Sequence, residues 1–91
     1  METRNDRSEI VLDSPLQRAR GVIGRYPEPD ERYRFEYDEV AQRSVHMIGV
    51  RRPLQVTFLI DGKVTGEAVL RPWTGVAKAP ADTIVEERPA E

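Results

Sequence analysis

The sequence predicts a mainly β domain, a compact β-sandwich or barrel of about six or seven short strands with one short helix over residues 15–20 and a central hairpin over residues 54–70. Three observations predict it. Residues 33–37 and 54–60 place apolar side chains at every second position, the period of a strand with one buried face. Asp61-Gly62 is a favoured dipeptide for a tight hairpin turn. Short segments bounded by Gly and Pro fill most of the remaining chain.

A length of 91 residues and 10.4 kDa allows a single domain, one that removes about 60–65% of its unfolded surface from water. That domain is placed at residues 8–88, between a flexible N-terminal tail at 1–7 and a C-terminal tail at 89–91. The absence of cysteine excludes disulfides and thiolate zinc or redox sites. No run reaches the roughly 18 apolar residues of a membrane span, and the charged start METRNDRSEI is unlike a signal peptide. A soluble, cytoplasmic protein with no membrane partner is the expectation. Sixteen acidic against fourteen basic residues give a net charge of −2, which offers no overall attraction for nucleic acid. Twelve of the basic residues are Arg and two are Lys, a bias that suits anion recognition but that genome composition or a salty habitat also produces.

Glu9, Ile10, Val11 and Leu12 suit a short strand. The helix of residues 15–20 follows, with Ser14 as cap, Pro15 at the first helical position, Gln17 closing a capping box and Gly21 as the stop. Leu16 and Ala19 would dock it on a sheet. Tyr26-Pro27-Glu28-Pro29-Asp30 reads as a loop. Tyr33, Phe35 and Tyr37 then alternate with Arg34 and Glu36 along a strand, and Asp38-Glu39 is expected to turn the chain. A further strand is expected over Val45–Val50, with Val45 and Met47 on one face and His46, Ile48 and Val50 on the other.

Pairing arguments set the expected register of the central hairpin. A strict two-residue turn at Asp61-Gly62 would oppose Val56 to Glu67 and Phe58 to Thr65, mixing apolar with polar side chains. A three-residue loop, Ile60-Asp61-Gly62, instead opposes Phe58 to Val64, Val56 to Gly66 and Leu54 to Ala68, with Thr57 against Thr65 and Gln55 against Glu67. The three-residue loop is the expectation. Arg71-Pro72-Trp73-Thr74-Gly75 is a loop carrying a large aromatic, and Thr83 to Glu86 forms a last short strand.

ARGVIGR at 19–25, VHMIGV at 45–50, RPLQVTFLIDGKV at 52–64, LRPW at 70–73 and KAPADTIVEE at 78–87 resemble, in order and spacing, the domain of unknown function 192 family. The resemblance covers residues 9–88 and implies a small, mostly β domain of archaea and bacteria with no assigned catalytic residues. The Arg-rich, Lys-poor composition is similar to that of archaeal members. Gln55 stands where the family often has Asp, Ile23 or Val22 where it commonly has Met, and Arg88-Pro89-Ala90 where it usually has Ala-Gly.

No nucleophile elbow, phosphate-binding loop or dinucleotide fingerprint is present, and the single histidine, His46, has no partner at metal-ligand spacing. No cofactor, metal or catalytic residue is expected. The leading functional reading is a non-catalytic domain that binds a small anionic ligand or a protein partner through a rim of His46, Arg51, Arg52, Arg71 and Trp73. The bland alternative for that rim is a Trp73 lid over the core with every arginine paired to an acid. Two other classes are open. A hydrolase-like enzyme would use His46 with Asp38 or Glu67. A nucleic-acid accessory protein would join Arg18, Arg20 and Arg25 with Arg32, Arg34 and Arg43 on one face.

Overall fold

A computed structural model describes residues 8–12 and 26–90 of the chain. The expected helix, the N-terminal tail and Arg18, Arg20 and Arg25 lie outside the described residues. Five strands follow one another: β1 (Ser8–Leu12), β2 (Glu31–His46), β3 (Leu54–Ile60), β4 (Lys63–Leu70) and β5 (Val76–Glu87). They form one sheet in the order β1-β2-β5-β3-β4, with β1 parallel to β2 and the other pairs antiparallel. Among the described residues the sheet stays open, with β1 and β4 as edges, and this corrects the expected sandwich or closed barrel of six or seven strands. Nor do they include a helix long and apolar enough to cross a membrane.

The strand count falls because two strands are longer than their local patterns suggested. β2 runs straight through Asp38-Glu39, where a turn was expected. Residues 37–40 bulge out between the Glu36↔Thr83 and Ala41↔Ala81 pairs, and β2 keeps the same partner on both sides. Arg43 holds the bulge: its guanidinium donates to the Glu39 carbonyl at 2.7 Å and the Ala81 carbonyl at 3.1 Å, and stacks 3.7 Å from the Tyr37 ring centroid. Polar residues there mark a bend instead of a reversal. β5 likewise begins at Val76, well before Thr83, and contains Pro80. Pro80 is tolerated because β3 pairs only with Thr83–Glu87, so the first half of β5 has β2 as its one ladder partner and the other side unpaired in the sheet.

Beyond the bulge, the second half of β2 and the first half of β5 make a two-stranded arm that bends over the β3–β4 hairpin. The Thr65 hydroxyl donates to the Pro80 carbonyl at 2.6 Å, and the Ala79 methyl lies against the backbone of Gly66. One core results. Tyr33, Phe35, Val56, Phe58 and Ile84 fill the inner face of the sheet, with Ala79 and Ala81 above them and Met47, Val50, Leu54 and Leu70 at one end. A β-carbon added at Gly66 would sit 2.9 Å from that of Ala79. Gly66→Ala is therefore expected to cost about 1–3 kcal/mol in urea unfolding, with Ala79→Gly in the same chain restoring most of it. An unchanged unfolding midpoint for Gly66→Ala would place the arm elsewhere.

The hairpin corrects the expected register. Asp61 and Gly62 have φ of 52° and 80°, a two-residue turn with both central residues left-handed, and Ile60 pairs with Lys63. The polar mismatch is then relieved by an irregularity beside Phe58 that leaves Thr65 out of the pairing. Phe58 faces Gly66, Val56 faces Ala68 and Leu54 faces Leu70. Leu54, Val56 and Phe58 do point inward, as their alternation predicts. The Gln55 amide still reaches the Glu67 carboxylate, at 3.2 Å, along the diagonal.

Candidate functional site

His46, Arg51, Arg52, Arg71 and Trp73 fall on two connections that the fold sets side by side. β2 ends at His46, and Met47–Val50 forms a tight turn closed by the Val50 N–H donating to the Met47 carbonyl at 2.9 Å, with Gly49 at φ 87°. The strand expected over Val45–Val50 is thereby cut short. Met47 and Val50 enter the core, and Ile48 is left 65% exposed. The second connection, residues 71–75, is the loop expected from Pro72 and Gly75. Trp73 N–H donates to the Val50 carbonyl at 3.1 Å and Met47 N–H to the Gly75 carbonyl at 3.0 Å, tying the two together. The β3–β4 pairing ends at Leu54↔Leu70, and beyond it the Trp73–Val50 hydrogen bond joins the loop of Arg71 and Trp73 to the residue that precedes Arg51.

Trp73 is not the expected alternative of a lid over the core. It is 52% exposed and holds a φ of 67°, a left-handed conformation that is strained for a bulky residue. Hydrogen bonds on either side fix it there: its own N–H to Val50, and the Gly75 N–H to the Arg71 carbonyl at 3.1 Å.

The charges at this end are one-sided. The sequence has no acidic residue from Val40 to Ile60 or from Ala68 to Ala81. Arg51 and Arg71 are exposed and make no ion pair among the described residues. Other arginines are engaged. Arg32 lies near Glu9 and Glu87, Arg34 bonds Glu36 at 2.8 Å, and Arg88 lies near Glu28 while its Nε donates to the Pro27 carbonyl. With Arg43 held at the bulge, Arg32, Arg34 and Arg43 do not form a free cationic face. Arg52 leans away from the rim toward Tyr26, its guanidinium 5.6 Å from the ring centroid, while the Tyr26 hydroxyl donates to the Pro53 carbonyl.

His46 has a defined role in this geometry. Its Nδ1 accepts the Ile48 N–H at 3.3 Å, so the neutral ring carries its proton on Nε2 and offers a donor outward. That arrangement suits an anion better than it suits proton abstraction. Asp38 lies in the bulge and the Glu67 carboxylate is bonded by Gln55, and no hydrogen bond or ion pair among the described residues brings either to His46. The described residues also hold no group of three or more His, Asp or Glu side chains placed to bind a metal.

Sequence reasoning missed two features. The exposed Ile48 was hidden by treating residues 45–50 as a strand. The other is Glu86, 7% exposed on the inner face, paired in register with Tyr33 on one side and Val56 on the other. No hydrogen-bond donor among the described residues reaches its Oε1, and burial pushes its carboxyl up to about 7. Strict alternation from Ile84 would have found it.

No protein-family model matches the chain, and the comparison with curated proteins finds no match. Solved structures with the same fold include a candidate transcription regulator (R01717) from Sinorhizobium meliloti 1021, with a TM-score of 0.76 and 21% identity over 88% of this chain. A protein of unknown function from Novosphingobium aromaticivorans DSM 12444 has a TM-score of 0.77 and 18% identity over 90% of this chain. This chain spans 67% and 63% of those two chains. At these identities the likeness establishes the fold, that of a small, mainly β domain.

Proposed function

We propose that the chain is a non-catalytic, cytoplasmic binding domain of the domain of unknown function 192 family, archaeal in type, and that it takes a small anionic ligand at the rim of His46, Arg51, Arg71 and Trp73, with Arg52 at its margin. The ordered motifs of the sequence support the family. The observation that carries the binding reading is the contrast among the arginines: those on the sheet are engaged with acids or carbonyls, whereas Arg51 and Arg71 stand exposed without an acidic partner among the described residues, on the two connections that also carry an exposed indole. A protein partner is the second reading, favoured by the exposure of Ile48 and Trp73 on adjacent loops.

A thermal-shift screen of carboxylates, inorganic phosphate, sugar phosphates and nucleotides tests the binding reading. A ligand raises the melting point in proportion to the logarithm of its concentration over Kd. Arg51→Ala and Arg71→Ala should each abolish the shift while leaving the unliganded melting point within about 0.5 kcal/mol of stability, as for exposed positions generally. A shift that survives both substitutions removes the rim from the binding reading.

A further inference from the structure

We propose that the anion bound at this rim carries a flat unsaturated ring, as a nucleoside phosphate does, with the ring stacked on Trp73 and the phosphate held by Arg51 and Arg71. The inference rests on the anion-binding reading and goes further by assigning the indole a task. Folding does not explain the indole, because the Trp73 side chain is half in water and its backbone is held in a left-handed conformation. Leaving a large aromatic surface in water gains nothing for the core, yet three backbone hydrogen bonds of the two loops converge to fix this one. Its backbone N–H is bonded to the carbonyl of Val50, the residue before Arg51, and Arg71 is two residues before it, so both arginines leave the chain close to the base of the indole. The chain offers no carboxylate from these loops to repel an incoming phosphate, and His46 adds an Nε2–H donor at the end of β2. An aromatic plane with guanidinium groups beside it is the arrangement that binds a base and its phosphate together.

Trp73 is the only tryptophan in the chain, so its fluorescence reports on this position alone. The probes are adenosine 5′-phosphate, ribose 5-phosphate, adenosine and a short oligodeoxythymidine, titrated by fluorescence and by calorimetry. Adenosine 5′-phosphate is expected to quench Trp73 and to bind roughly five- to 150-fold more tightly than ribose 5-phosphate, the range that base stacking supplies. Trp73→Asn, which removes the indole and relieves the left-handed backbone, should erase that difference while ribose 5-phosphate binding persists; Trp73→Phe should retain part of it. Equal affinity for the two phosphates, or no change in Trp73→Asn, overturns the ring while leaving an anion site. Failure of both phosphates to bind overturns the anion site as well. Adenosine binding as tightly as its phosphate also overturns the proposal. Tighter, steeply salt-dependent binding of the oligonucleotide identifies a single strand as the source of the base and phosphate; preference for the mononucleotide identifies the free metabolite.

Discussion

At pH 8 the Glu86→Gln variant is expected to unfold at a higher urea concentration than the unsubstituted protein, and near pH 4.5 to lose that advantage. Glu86 sits on the core face of β5 between Tyr33 and Val56, without a partner at Oε1 among the described residues, and its carboxyl is raised from 4.5 to about 7. Desolvation is the cause: charge in that position is unfavourable because burial takes the carboxylate out of water. Between pH 4.5 and about 7 the folded chain therefore binds more protons than the unfolded one, and stability falls as the pH rises through that window before levelling off. The loss is on the order of 3 kcal/mol. Glutamine has nearly the same shape and does not ionise, so it removes the slope attributable to this position. Its buried amide still lacks partners, which is why no gain is expected at low pH. Urea midpoints measured every half pH unit for both proteins decide the matter, and parallel curves would mean that Glu86 is solvated.

Phe58→Ala carries the largest expected loss, about 3–5 kcal/mol by thermal or urea unfolding. The ring is 1% exposed on β3 and lies opposite Ile84 of β5 and Gly66 of β4, beneath the arm that carries Ala79. No small side chain nearby is placed to fill the space. Against a total stability of about 5–15 kcal/mol for a typical domain, the variant should be near the limit of folding. Val64→Ala is the matched control. The three-residue loop expected from the sequence puts Val64 against Phe58, whereas the structure leaves it 58% exposed beside the turn. A change within about 0.5 kcal/mol agrees with the two-residue turn, and a loss of 2 kcal/mol or more would restore the longer loop.

The alternation of Leu54, Val56 and Phe58 made the hairpin and its buried face legible, because side-chain direction in a strand is a local property. Its register was not legible. Unpairing one residue, Thr65, resolves the same mismatch that a longer loop resolves, and local pattern does not choose between them. The continuity of β2 was hidden for a related reason: Asp38-Glu39 looks like a turn, and only the shared partner β5 shows that the chain bends without reversing. The rim residues were legible as types, as arginines beside loops with a tryptophan. Their proximity depends on the contacts between Trp73 and Val50 and between Met47 and Gly75, both long-range in sequence. Glu86 was in principle readable from Ile84 by counting two, but its lack of a partner belongs to the assembled core.

The strand order sets a condition on biosynthesis. The middle position of the sheet belongs to the last of the five strands to leave the ribosome, so β1 with β2, and β3 with β4, emerge as separate pieces whose inner edges have no neighbour until residues 76–87 appear. Assembly must wait for that final insertion, which places this chain among slow-folding, high-contact-order topologies and exposes two unpaired strand edges on every nascent copy.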